Sequence, residues 1–272
     1  MPELPEVDTV RRQLSEKLPL PLKLEKISFS GISLRFPLDE KNARKKLTGQ
    51  SLKKLSRHGK YLFFEWERGV LISHLGMTGH WRVDKIKDYK AKKHDHVQLY
   101  FADLVLTYND PRRFGYVLWE DLFDQTALKK LGLGPDAIEW AIDDLFIKSM
   151  KKKSAPIKAA LLDQRIVAGI GNIYASEILF HAGVKPTKKV SAVTRDQWKK
   201  IILQTHRILQ AAIEGGGSTI DDYLQPDGAK GNFQDSHSVY GKKGNPCPKC
   251  KAAIVLSTQS GRSTFWCRKC QR

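Results

Sequence analysis

Cysteine is absent from this chain until Cys247, and all four cysteines fall between there and Cys270. A secreted fold stapled by disulfides is thereby excluded, and thiolate chemistry is confined to one local site. Acidic side chains are also scarce: 29 Asp and Glu stand against 47 Lys and Arg, a formal net charge of +18. So large an imbalance is foreign to an enzyme of small metabolites and calls for a polyanionic partner. No amphipathic basic helix dominates, so nucleic acid is favoured over a membrane surface. No apolar run approaches the length of a bilayer span, no signal-like segment follows Met1, and no internal repeat is found. The expectation is a soluble cytoplasmic protein without a membrane partner.

What is present is enough for a folded, multidomain chain. The 272 residues allow two domains and a small third module, and 41% hydrophobic content supports real cores. Proline at position 5 suits a first helical turn, Glu6 and Asp8 favour its positive end, and Val7, Val10, Leu14 and Leu18 form one apolar stripe. Pro19 and Pro21 stop that helix. Extended segments are predicted at 24–29, 60–66, 70–74, 97–101, 105–108 and 116–119, interrupted by a basic helix over 40–47. This is the pattern of an antiparallel β-sandwich or barrel, not of a parallel sheet. From about residue 121 the periodicity turns helical, near 125–131, 143–152, 155–163, 172–182 and 194–214. A polar, glycine-rich loop then runs from Gly215 to Gly231. The expected fold class is α+β. An N-terminal β-sandwich domain spans 1–121, a helical domain with the loop at 215–231 spans 122–235, and a cysteine module spans 236–272.

The strongest local signal is Cys247-Pro-Lys-Cys250 followed by Cys267-Arg-Lys-Cys270. Two such knuckles supply four thiolates to one tetrahedral ion, leaving no open position for a substrate, so one structural Zn2+ is expected. Alternating segments at 254–258 and 263–266 make a β-hairpin whose tip presents Arg262 among several lysines and arginines. A second signal is the glycine turn Gly169-Ile-Gly171-Asn172, which opens a helix and offers backbone N–H groups to an anion. It does not follow a strand, which disfavours a dinucleotide fold. His94 and His96 share one strand face, but no third ligand accompanies them, so a metal site there is set aside.

The first eight residues, Met1-Pro-Glu-Leu-Pro-Glu-Val-Asp8, carry the chemistry. Once Met1 is removed, Pro2 becomes a secondary amine. A terminal amine titrates near about 8 against about 10.4 for lysine, so it is the more available nucleophile at neutral pH and suits Schiff-base chemistry. Glu3 and Glu6 lie within reach of it.

These motifs occur together with Gly59-Lys-Tyr-Leu62, His74-Leu-Gly-Met-Thr-Gly79, Lys93-His-Asp-His96, Asp110-Pro-Arg-Arg-Phe-Gly115 and Gly169-Ile-Gly-Asn-Ile-Tyr-Ala-Ser-Glu177. In that company the chain resembles the bacterial formamidopyrimidine-DNA glycosylases, over essentially its whole length. Leu4 is similar to this branch, whereas the endonuclease VIII branch of the superfamily usually has glycine there. The resemblance implies a bifunctional base-excision repair enzyme that removes 8-oxoguanine and formamidopyrimidines from duplex DNA and cleaves the abasic site by β,δ-elimination. It implies Pro2 as the nucleophile, Glu3 as acid/base, Lys60 and Arg262 as catalytic phosphate contacts, and Glu6, Ser218, Thr219 and Tyr223 about the flipped base. DNA contacts are implied for His94, Arg113, Lys158, Asn172, Tyr240 and Arg262, and Met77, Arg112 and Phe114 would fill the void left by the extruded base. The expected partner is damaged double-stranded DNA in the bacterial cytosol, with a monomeric enzyme and no small-molecule cofactor. Two alternatives stand beside this: an endonuclease VIII-like enzyme favouring oxidised pyrimidines, and a non-catalytic zinc-finger DNA-binding protein.

Overall fold

Helix α1 (Leu4–Lys17) starts where Pro5 presets the helical φ and Glu6 reaches back to accept the Glu3 N–H at 2.9 Å. Its stripe of Val7, Val10 and Leu14 is wholly buried, and the chain leaves the helix at Leu18, before Pro19. The computed structural model to which it belongs describes residues 1–122, 125–218 and 233–272. Thr219 and Tyr223, implied in the lesion pocket, lie outside the described residues.

The chain divides into two compact units. The first begins at Met1, ends at Leu131, and takes back a later segment that starts at Gly216. Its strands are β1 (Leu22–Lys23), β2 (Lys26–Phe29), β3 (Ser51–His58), β4 (Tyr61–Trp66), β5 (Val70–His74), β6 (His80–Lys85), β7 (Asp95–Tyr100), β8 (Leu104–Asn109) and β9 (Tyr116–Glu120). They form two antiparallel sheets, ordered β1-β3-β4-β5-β9 and β2-β7-β8-β6. One core joins both sheets to α1, with Leu55, Leu62, Phe64 and Leu71 from one and Trp81, Val97, Leu99 and Leu106 from the other. Helix α2 (Glu40–Leu47), capped by Asp39, closes that core with Ala43 and Leu47. Phe63, Val70 and Ile72 point to the opposite face of β4 and β5, where Leu128 of α3 (Gln125–Lys130) and Leu131 cover them. Burial on both faces explains the unbroken apolar run Leu62-Phe63-Phe64.

Three features depart from the sequence expectation. Of the predicted strand over 24–29 only Lys26–Phe29 is extended, as β2, and a separate strand β1 precedes it because the chain changes sheets there: β1 pairs with β3 and β2 with β7. Strand β3 was not predicted, since a bulge between Leu52 and Lys54 sets its inward residues, Leu52 and Leu55, three apart instead of two. Strand β6 was hidden by Arg82, a cation in the middle of it. That cation is buried against Asp95, whose two oxygens it meets at 2.7 and 2.8 Å.

The second unit comprises Gly132–Gly215 and Asn232–Arg272. It holds α4 (Asp144–Lys151), α5 (Ile157–Leu162), α6 (Asn172–Ala182), α7 (Arg195–Glu214) and a hairpin of β10 (Val255–Gln259) and β11 (Arg262–Trp266). Helix α6 is buried nearly all round, which is why its sequence shows no polar face. Trp140, Phe146 and Trp198 pack edge to face beside α7, whose start is fixed by a Thr194–Gln197 capping box. Among the described residues no helix is long and apolar enough to cross a membrane.

Candidate functional site

In the first unit the site is built around the start of α1. Glu3 and Glu6 are buried although both are carboxylates, and Pro2 is buried with them. Glu6 explains its own burial: one oxygen accepts the Glu3 N–H and the other accepts the Ser218 N–H at 2.8 Å. The returning chain can approach this closely because Gly217 carries no Cβ and adopts φ +79°. Ser218 is thus held against α1 by its backbone.

Lys60 sits in the two-residue turn between β3 and β4, after Gly59 at φ +57°. The turn is fastened to α1 through Arg57, which bonds the Gly59 carbonyl at 3.1 Å and Asp8 at 3.3 Å, while Asp8 also pairs with Arg11 and Arg12. Lys60 is 5% exposed, and a lysine is seldom buried so far. The sequence reading did not single out His74, yet burial and the neighbouring charges of Lys60, Arg35 and the N-terminal amine push its pKa down to about 3. Its Nδ1 accepts the Gly76 N–H at 3.1 Å, so the ring is neutral with its proton on Nε2. The available signal was its place at the end of β5, directly before a turn and cross-strand from Tyr61.

Met77 follows in the turn after β5, and Arg112 and Phe114 lie in the turn after β8. Phe114 is 45% exposed, an unusual position for a large apolar ring, and the Arg112 guanidinium lies 4.8 Å from its centre. His94 and Arg113 both adopt positive φ, at 71° and 56°. Each is tied to Asp110: the Asp110 N–H donates to the His94 carbonyl, and the Arg113 N–H donates to the Asp110 carbonyl. His96 is buried and faces the Ser30 hydroxyl and the Asp110 carbonyl at 3.0 Å each, a structural position.

The remaining predicted residues belong to the second unit. Asn172 is the first residue of α6, whose N-cap is Gly171 with no side chain to satisfy the first N–H groups. Gln164 pins the glycine turn in front of it, accepting the Gly169 N–H and donating to the Ile170 carbonyl. The Asn172 side-chain oxygen is buried with no hydrogen-bond partner among the described residues. Tyr240 is held by its backbone: Glu177 accepts the N–H groups of Ser238, Val239 and Tyr240 at 2.8–2.9 Å. Burial of that carboxylate raises the Glu177 pKa in spite of these bonds.

Two residues differ from expectation. Arg262 is not at the hairpin tip but opens β11 opposite Gln259, because Ser260 and Gly261 take positive φ and make the two-residue turn. Lys158, expected as a backbone contact for DNA, is 1% exposed and donates from Nζ to the Ser263 carbonyl and the Thr264 hydroxyl at 2.8 Å each. Burial without such acceptors would be costly for an ammonium, so its position is dictated by the hairpin. A cavity of about 260 Å3 lies beside it, lined by Lys158, Asp163, Gln259, Ser260 and Arg262.

The four cysteine sulfurs lie within 4.8 Å of one another, with Cys247–Cys270 at 3.8 Å and Cys250–Cys267 at 3.4 Å. A disulfide requires about 2.05 Å, whereas four thiolates about 2.3 Å from one zinc lie roughly 3.8 Å apart. The spacing therefore fits one tetrahedral ion. Burial and the three neighbouring sulfurs push the Cys270 thiol up to about 12, a crowding that a dication would relieve. Phe180 of α6 packs against Cys247, Ile254 and Cys267, and Gln271 bridges the Cys267 N–H and the Val184 carbonyl.

Comparisons with known proteins agree across both units. Residues 1–117 match the formamidopyrimidine-DNA glycosylase N-terminal domain, and residues 131–223 match the formamidopyrimidine-DNA glycosylase H2TH domain. The chain is 41% identical to the formamidopyrimidine-DNA glycosylases of Bdellovibrio bacteriovorus and of Pasteurella multocida, covering 100% of each protein and of itself. Among solved structures it is similar to wild-type Lactococcus lactis Fpg (MutM) bound to DNA containing N7-benzyl-Fapy-dG, with a TM-score of 0.88 and 38% identity over 100% of both chains. It is likewise similar to MutM in complex with DNA containing carbocyclic 8-oxo-G, at a TM-score of 0.88 and 35% identity over 100% of both chains.

Proposed function

Because this chain belongs to the formamidopyrimidine-DNA glycosylase family, we propose that it excises oxidised purines from duplex DNA in base excision repair and then cleaves the abasic site as a lyase. One observation carries the reading furthest: Pro2 is buried beside the buried carboxylates Glu3 and Glu6, and the buried Lys60 and the N-terminal amine both act on a neutral His74. Glu6 has a structural task at the helix start, so it is the buried Glu3 carboxylate next to Pro2 that speaks against a DNA-binding protein without chemistry.

With Met1 removed, the Pro2 amine attacks C1′ of the damaged nucleoside, the glycosidic bond breaks, and the base departs. The resulting iminium makes the C2′ proton acidic, so elimination can expel the 3′ phosphate and then the 5′ phosphate. Glu3 serves as the acid/base for ring opening and the subsequent proton transfers. Glu6 acts at one remove, holding the Glu3 backbone and the Ser218 backbone by its two oxygens. Lys60 and the Nε2–H of His74 are suited to a phosphate beside the lesion, one as a cation and one as a neutral donor. In the second unit, the N-terminus of α6 with Asn172, together with Arg262 and Tyr240, suits further phosphates of the same backbone. Met77, Arg112 and Phe114 replace the extruded base, and the guanidinium can hydrogen-bond the partner left behind. The four cysteines would hold one Zn2+, which when bound fixes the fold of the hairpin bearing Arg262.

The test is base release from duplexes containing 8-oxoguanine or thymine glycol, followed by gel analysis of strand cleavage. Release of 8-oxoguanine with both 3′- and 5′-phosphate ends supports the reading. Preference for thymine glycol would move the enzyme to the pyrimidine-directed branch, and base release without strand cleavage would remove the lyase step.

A further inference from the structure

Met77 and the pair Arg112 and Phe114 come from two turns that are separate in sequence, yet a single hydroxyl connects them. Thr78 donates to Asp110 Oδ1 at 2.5 Å and accepts the Arg112 N–H at 3.2 Å. Asp110 is fully buried, and its other oxygen accepts the Gly115 N–H at 2.8 Å. Beneath them the Tyr108 hydroxyl donates to the His74 carbonyl at 3.2 Å, and burial keeps that phenol protonated, with the charge of Asp110 adding to the effect. The turns also meet backbone to backbone. A Cβ on Gly76 would strike Phe114 and Gly115, and one on Gly79 would strike the Tyr108 hydroxyl.

We infer that Thr78, held by Asp110, is a positioning residue that fixes Arg112 for reading the base opposite the lesion and so sets the opposite-base discrimination. This inference rests on the void-filling role proposed for Met77, Arg112 and Phe114. A hydroxyl has one donor and two acceptor sites, and Thr78 uses both kinds, so without it the Met77 turn loses its link to Asp110 and the Arg112 N–H loses its acceptor. Arg112 is exposed and long, and a guanidinium reads a base edge only when its root is held to within about half an ångström. The Arg112 backbone gets that precision from Thr78. The Arg112 N–H goes to the Thr78 hydroxyl, and Asp110 acts on it through that hydroxyl while its other oxygen accepts the Gly115 N–H.

The test compares single-turnover excision of 8-oxoguanine opposite cytosine and opposite adenine for the wild-type chain and for T78V, T78S and R112A. Each variant is first checked for folding by circular dichroism. T78V is expected to lower the cytosine-to-adenine ratio about tenfold, the scale of one lost directional contact to a base, through slower excision opposite cytosine with excision opposite adenine near the wild-type rate. T78S, which retains the hydroxyl, is expected to restore the ratio. Amide hydrogen exchange at Arg112 should quicken in T78V and not in T78S. A T78V ratio equal to wild type overturns the inference, as does a T78S enzyme as impaired as T78V, since loss of packing and not of the hydroxyl would then be responsible. If R112A leaves the ratio intact, the assignment of Arg112 fails and the inference falls with it, whereas base release by the wild-type chain still stands as evidence for the glycosylase reading.

Discussion

Glu6 shows how much a single side chain can be asked to do. The resemblance implies that Glu6 holds the flipped base or the terminal amine, and a carboxylate that stabilises a helix start is the plainer reading of the sequence. Its structural task is more definite: both oxygens are committed to backbone N–H groups, of Glu3 and Ser218. Glu6→Gln keeps one acceptor and turns an NH2 group toward an N–H, leaving a buried donor unsatisfied. The expected cost is about 1–3 kcal/mol, read from the shift in the urea midpoint at constant m. An unchanged midpoint would mean that the two N–H groups find other acceptors. His74 gives a second prediction at this scale. Its folded pKa, about 3, lies well below the ordinary histidine value, as does that of His237, at about 4. The unfolded chain therefore binds more protons below about pH 6.5, and stability falls as pH drops from there through 4. His74→Gln should flatten that fall, because Gln retains an acceptor for the Gly76 N–H but does not titrate. Melting temperatures between pH 7 and 4.5 test this, and equal slopes for both proteins would contradict it.

At the scale of elements, the parts legible in the sequence were those whose pattern is local. Helices α1, α2, α6 and α7 could be placed closely from proline, glycine, capping residues and a 3.6-residue stripe. Strands β3 and β6 could not, since a bulge in one and a buried ion pair in the other break the period of two that a reader relies on. The cysteine hairpin was plain from its spacing, but its turn is one residue tighter on each side than expected, which makes Arg262 the first residue of β11. Lys158 was beyond reach: its acceptors, Ser263 and Thr264, lie more than a hundred positions away. The structure makes it a strut between α5 and the hairpin. Lys158→Met, close in volume but without donors, should strand those acceptors and quicken amide exchange in β11, with little change in the strands of the first unit. Protection in β11 equal to wild type would contradict that role.

For the molecule as a whole, an excess of +18 and two units that each match part of one family point to a duplex held mainly by its phosphates. Affinity should therefore fall steeply with salt, and each phosphate contact removed should lower the slope of log K against log salt by about 0.9. Chelating the metal, or replacing Cys267, should abolish tight DNA binding while the β-rich unit keeps its circular dichroism signal, because the four sulfurs belong to the second unit only. Family and chemistry were readable from the sequence because several short motifs recur together over the whole chain. The proximity of His74 to Lys60, and the stitch of Thr78 to Asp110, were not, since the first exists only once β4 pairs with β5 and the second only once the turns after β5 and β8 meet.

The central claim is that the amine of Pro2 becomes covalently bound to the sugar of the damaged nucleoside. Chain lacking Met1 is incubated with an 8-oxoguanine duplex, reduced with borohydride, digested, and mapped by mass spectrometry. The account predicts one stable protein–DNA adduct located at Pro2, and none when Met1 is retained and the proline nitrogen remains an amide. An adduct at Lys60 or another lysine, or undiminished trapping with Met1 in place, would contradict it.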